Sequence, residues 1–220
     1  MDKLFDYNNK IMQLLSKFAD IMFISILWLL LSVTVIGFGP ACTAAYYTIT
    51  KTVRRSRGNI LSEFWHALKS NFWNSLVLGI LWILFALSLF FFDFADIANF
   101  LLYGQLLNIW TLVFSLIKAF VLLGLFLYLF PVQSRFQLKF VQVFLWSFIF
   151  ILRHVGATLT MLIILVLSVS LIVIFPYFMI IVPGVFFLGI SYPMEQVLKI
   201  HIPKEDKMEN QEKDQWYLEK

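Results

Sequence analysis

Long apolar runs separated by short polar stretches dominate this chain. Residues 22–40, MFISILWLLLSVTVIGFGP, are almost unbroken in apolar character and end in a Gly37-Phe38-Gly39-Pro40 break. Further runs of the same kind follow, and about 18 or more consecutive apolar residues mark a membrane-crossing helix. The runs are continuous rather than alternating, which excludes a β-barrel. Without water to satisfy the backbone, only helices then remain. The pattern predicts an all-α, polytopic membrane helical bundle of about five transmembrane helices, at residues 18–38, 74–92, 107–130, 157–175 and 177–192, the last interrupted by Pro183-Gly184. Residues 138–152 are the alternative sixth span. Their apolar core, VQVFLWSFIFIL, is short for a crossing and reads better as an amphipathic, partly embedded helix.

The polar stretches predict surface elements. In residues 1–17, Leu4, Ile11, Leu14 and Leu15 recur near helical spacing among Lys3, Lys10 and Lys17, as expected for a helix lying on the membrane surface. Pro40 and the stretch ACTAAYYTITKTV predict a helix that leaves the membrane after the Gly/Pro break. Arg57-Gly58-Asn59 reads as a turn. Asn59 then caps an interfacial helix with Leu61, Phe64, Trp65, Leu68 and Phe72 on its apolar face. Interfacial amphipathic helices are thus expected in both basic loops, 41–73 and 132–156. Residues 18–200 form the membrane domain, and 201–220 a charged tail with the composition of a disordered segment. A weak parallel repeat is also visible, with Pro40 and Lys69 in one half matched by Pro131 and Arg153 in the other.

Charge sets an orientation. With five spans, one side carries Lys3, Lys10 and Lys17, and the other carries thirteen of the 17 Lys and Arg residues. The positive side faces the cytoplasm, so the N-terminus is expected outside and the C-terminus inside. In a membrane chain the net charge of +4 reports loop sidedness and anionic lipid rather than nucleic acid. Cys42 is the single cysteine, so no intramolecular disulfide can form. Pro40 just before it argues against a lipoprotein cleavage site.

Chemistry is sparse. His66 and His154 have no Cys or carboxylate at ligand spacing, so neither a metal nor another cofactor is expected. Paired carboxylates, a nucleophile elbow and a phosphate loop are all missing, and no catalytic residue is assigned. Lys118 is the strongest single candidate. A lysine at mid-bilayer costs about 2.5–3.5 kcal/mol on insertion scales and so marks either a polar site or a snorkelling side chain. Asp20, Asn108 and Ser115 are its candidate partners in an intramembrane polar site. Lys51, Arg54, Arg55, Arg57 and Lys69 are candidates for cytoplasmic docking or lipid contact.

The segment GFGPACTAAYYTITKTVRRSRGNILSEFWHALKSNFWNS resembles the YesL family of small bacterial integral membrane proteins. The resemblance rests on Gly39, Pro40, Ala41, Ala44, Ala45 and Tyr46, then Phe64, Lys69, Asn71 and Phe72, and later Pro131, Arg135 and Phe136. It implies a multi-pass protein of a bacterial plasma membrane, encoded beside sugar uptake and polysaccharide-degrading systems, with no established activity. The expected function is accordingly an accessory or interaction protein of carbohydrate uptake or utilisation, with the bilayer and sugar-transporter subunits as partners. The alternative is a small permease with a polar site around Lys118.

Overall fold

The computed structural model describes residues 10–103, 109–136 and 138–200. These form seven α-helices with no strand among the described residues: α1 (Lys10–Ser32), α2 (Phe38–Thr48), α3 (Ile60–Tyr103), α4 (Ile109–Arg135), α5 (Phe140–Arg153), α6 (Val155–Ile174) and α7 (Val182–Ile200). Four segments, Met12–Ser32, Ile60–Phe91, Val113–Arg135 and Val155–Ile174, are long and apolar enough to cross a membrane. The all-helical membrane architecture is therefore the one expected from the sequence. Of the surface helix expected at 1–17, residues 1–9 fall outside the described residues, and residues 10–17 are continuous with the first span in α1; Asn108 and the 201–220 tail also fall outside the described residues.

Several boundaries differ from expectation. The interfacial helix after Asn59 and the second span are one continuous helix, α3, which runs on through part of the expected 93–106 loop. Nothing in LSEFWHALKSNFWNS breaks a helix, so a change of face does not end it. The segment expected as a fifth span is divided. Pro176–Ile180 is a 3-10 turn and α7 starts only at Val182, with Pro183 in its first turn, where a missing N–H costs nothing. Residues 140–153 do form the expected short helix, α5.

The largest departure is α2. The stretch after Pro40 does not leave the membrane domain. It turns back against α1 and becomes the hub of the bundle, with every residue from Gly39 to Val53 buried. Small side chains make this possible. A Cβ on Gly39 would lie 2.1 Å from the Ser75 carbonyl oxygen, and one on Gly79 would lie 2.9 Å from the Gly39 Cα, so the α2 and α3 backbones touch there. Thr43 Oγ1 donates to Ser75 Oγ at 2.9 Å beside that crossing. Gly39/Thr43 and Ser75/Gly79 are thus two small-xxx-small pairs facing each other, the usual device for close helix approach in lipid. Phe38 stacks on Trp82 and Phe126 and meets Trp28 and Phe130 edge-on, joining α1, α2, α3 and α4. A second close approach fixes α7 to α1: Ser25 Oγ donates to the Ile21 carbonyl and accepts from Gly184 N, both at 2.8 Å.

The parallel repeat does not extend to these elements. Pro40 opens a buried helix, whereas Pro131 lies inside α4, a turn before its end.

A buried arginine–glutamate cluster beside a polar cleft

The candidate site grows out of the end of α2. At Ile49–Val53 the helix widens into a π turn, closed by Arg54 N on the Ile49 carbonyl at 3.0 Å. Such turns are uncommon and frequent at functional positions. Here the turn carries Lys51 into the interior, where it is 5% exposed. Its ammonium meets Glu63 of α3 at 2.8 Å and the Tyr47 hydroxyl at 3.3 Å. The chain then reverses through Ser56 (φ 54°) and Gly58 (φ 80°). Gly58 is required twice over, since a Cβ there would also meet Glu63 Oε1 at 2.5 Å. Asn59 Oδ1 accepts from Leu61 N at 3.1 Å and starts α3, as the sequence predicts.

Beyond the π turn, two arginines, Arg135 and Arg55, gather on one carboxylate. Glu195 of α7 is 2% exposed. Its Oε1 accepts from Arg135 Nε at 2.9 Å and from the Tyr46 hydroxyl at 3.3 Å, and its Oε2 pairs with Arg135 Nη2 in a bidentate fork. Arg55 reaches the same Oε2 at 3.6 Å. Arg54 donates to the Ser191 carbonyl at 2.7 Å and lies over the Tyr192 ring at 4.5 Å. Burial and then Arg135 draw the Arg55 guanidinium below its ordinary range, with Glu195 acting against them. The cluster ties the ends of α2, α4 and α7 into one polar joint. Close by, Gln133 donates to Asn71 Oδ1 at 3.2 Å.

A polar cleft of about 600 Å³ opens next to the π turn, lined among others by Gln13, Lys17 and Asp20 of α1 and by Thr52, Ser56 and Asn59. The first turns of α1 and the basic turn at 54–59 therefore share one end of the bundle. This corrects the expectation that they lie on opposite sides of the membrane. The expectation has residues 41–53 leaving the membrane as a helix, whereas α2 returns the chain to the side from which α1 started.

The structure redistributes the sequence candidates. Asp20 lies in this cleft, while Lys118 is half-buried and Ser115 fully buried on α4. Lys51, Arg54 and Arg55 do not present a basic docking face, because they are committed to Glu63, Ser191 and Glu195. Arg57 and Lys69 are exposed. Of the residues behind the family resemblance, Gly39, Pro40, Ala41, Phe64 and Arg135 are buried, and Asn71 and Phe72 are half-buried. They build the hub and the joint. Sequence reasoning missed Glu195, and it named Tyr46 only for the family resemblance, not as a partner of that carboxylate. A lone acidic residue within the apolar SYPMEQVL was the available signal for Glu195, since a carboxylate there needs a cationic partner.

A family model described as a protein of unknown function, DUF624, matches residues 21–94. That span covers the second half of α1, all of α2 with its π turn, and most of α3. No curated protein and no solved structure matches the chain.

Proposed function

We propose that this is a multi-pass protein of a bacterial plasma membrane that performs no chemistry itself and works as an accessory or interaction component of carbohydrate uptake or utilisation. The carbohydrate setting rests on the YesL resemblance. The geometry that supports an interaction role is the end of the bundle where the polar cleft, the exposed Arg57 and the first turns of α1 come together. The interior charges at that end are engaged with one another, Lys51 with Glu63 and Arg135 with Glu195. That favours a structural role for them over a transport path.

The test is a mild-detergent pull-down of the tagged full chain from native membranes, read by mass spectrometry, with Lys17→Ser/Arg57→Ser as the variant. Both side chains are exposed, so the fold is spared. Sugar-transporter subunits recovered with the parent chain and lost with the variant are the expected result. Recovery of the protein alone, together with sugar flux in proteoliposomes that Lys118→Leu abolishes, overturns this reading in favour of the permease.

A further inference from the structure

We infer that the protein carries a site for one anionic phospholipid, with an acyl chain in the groove between α3, α4 and α5 and the headgroup phosphate at Lys139. The groove holds about 500 Å³ and is open along one side, a volume in the range of ligand pockets. Its floor is Leu78, Leu125 and Leu129, each at most 3% exposed, and its rim includes Val141, Phe144 and Leu145 of α5. The one polar side-chain atom of the lining residues, Trp82 Nε1, donates to the Leu122 carbonyl at 3.0 Å and needs nothing from a ligand.

A slot of this kind does not fill with water, because an apolar cavity offers no hydrogen-bond partners. Left empty, its walls lose dispersion contacts. It is flanked by two segments long and apolar enough to cross a bilayer, where hydrocarbon chains are the abundant apolar molecules. One wall of the slot is α5, which is shorter than a full crossing. Fourteen residues rise about 21 Å, against roughly 30 Å of hydrocarbon.

The polar end of the groove identifies the lipid class. Phe140 lines the groove, and Lys139, exposed, immediately precedes it. Asn74 Nδ2 donates to the Leu138 carbonyl at 3.3 Å, which places α3 beside this loop. Exposed Lys69 lies five residues earlier on α3 and adds a second cation near the same end. An ammonium beside an acyl slot complements a headgroup of net negative charge, as in phosphatidylglycerol, over a zwitterionic one that carries its own ammonium. This inference is independent of the interaction role proposed above.

The test uses the full chain in detergent with native mass spectrometry, after incubation with equal phosphatidylglycerol and phosphatidylethanolamine. The parent protein is expected to retain one lipid, with phosphatidylglycerol favoured about fivefold, the size of one lysine's attraction at an anionic surface. Lys139→Gln is expected to remove that preference while keeping the lipid. Leu145→Trp fills the groove from its exposed rim and is expected to lose the lipid of either class. If Leu145→Trp does not fold, as judged by thermal melting, Val141→Asn replaces it by making the rim polar. Retention that is equal in the parent and the groove variant overturns the site. A preference unchanged by Lys139→Gln overturns the headgroup assignment.

Discussion

Helices α2 and α6 invert the rule that governs soluble proteins. The window in α6 is the most apolar of the four spanning segments, and only 11% of it is buried inside the protein. The segment of α2 and its π turn contains Thr43, Thr48, Thr50, Lys51 and Thr52 and is buried at every residue from Gly39 to Val53. In water the hydrophobic effect would drive α6 inward. In lipid that force is absent between helices, and the interior goes to whatever packs closely and hydrogen-bonds. Small residues bring the α2 backbone against α3. Its threonines are already satisfied on their own helix, as Thr48, Thr50 and Thr52 donate to the Ala44, Tyr46 and Thr48 carbonyls at 2.8, 2.7 and 2.8 Å. Lys51 and Glu63 neutralise each other where α2 ends.

The strongest way to break this contrast is to place the same side chain on each helix. Gly39→Leu drives a side chain into the Ser75 carbonyl and the Gly79 backbone, neither of which can yield. It is expected to abolish the monodisperse peak in size-exclusion chromatography of the detergent-solubilised protein. Gly156→Leu, in the first turn of α6, meets nothing within 4 Å and is expected to leave the peak unchanged. Equal loss in both variants would show that α2 is no more central than α6.

Next in size is the polar joint. Arg135→Gln leaves Glu195 buried without its bidentate partner, and breaking a buried pair in this way costs about 3–5 kcal/mol. Thermal melting in detergent should fall markedly. Adding Glu195→Gln should recover part of the loss, because the second change removes the stranded charge. A double variant that melts no higher than Arg135→Gln would mean that Glu195 is held by Arg55 and Tyr46 instead.

Much of this was legible in the sequence. Continuous apolar runs gave the membrane class, the shortness of 140–153 gave α5, and Arg57-Gly58-Asn59 gave the turn and the cap. What hydropathy could not give was depth in the bundle, because in lipid apolar character reports the bilayer and not the protein core. The stretch ACTAAYYTITKTV therefore read as a segment leaving the membrane. Gly39/Thr43 and Ser75/Gly79, each spaced by four, were the signal that it does the opposite. Clusters such as Arg55–Arg135–Glu195 join residues far apart in sequence, and no spacing pattern announces them.

The smallest effects sharpen the comparison at the level of single groups. Thr43→Val keeps the shape of the side chain but removes its hydrogen bond to Ser75. Such bonds within membranes average about 0.6 kcal/mol and reach about 1.7 kcal/mol, so a small loss in unfolding free energy by a denaturant titration in detergent is expected. Leu167→Ala on α6 removes a larger apolar group from a position 64% exposed. In a soluble core that truncation would cost several times more than losing one hydroxyl. On α6 the side chain faces the lipid-accessible surface in both folded and helical-unfolded states, and the expected change is below about 0.5 kcal/mol. The order of the two variants is the measurement that matters. If Leu167→Ala proves the more damaging, α6 is covered by protein in the assembled state, and its apolar face belongs to an interface between chains rather than to the bilayer.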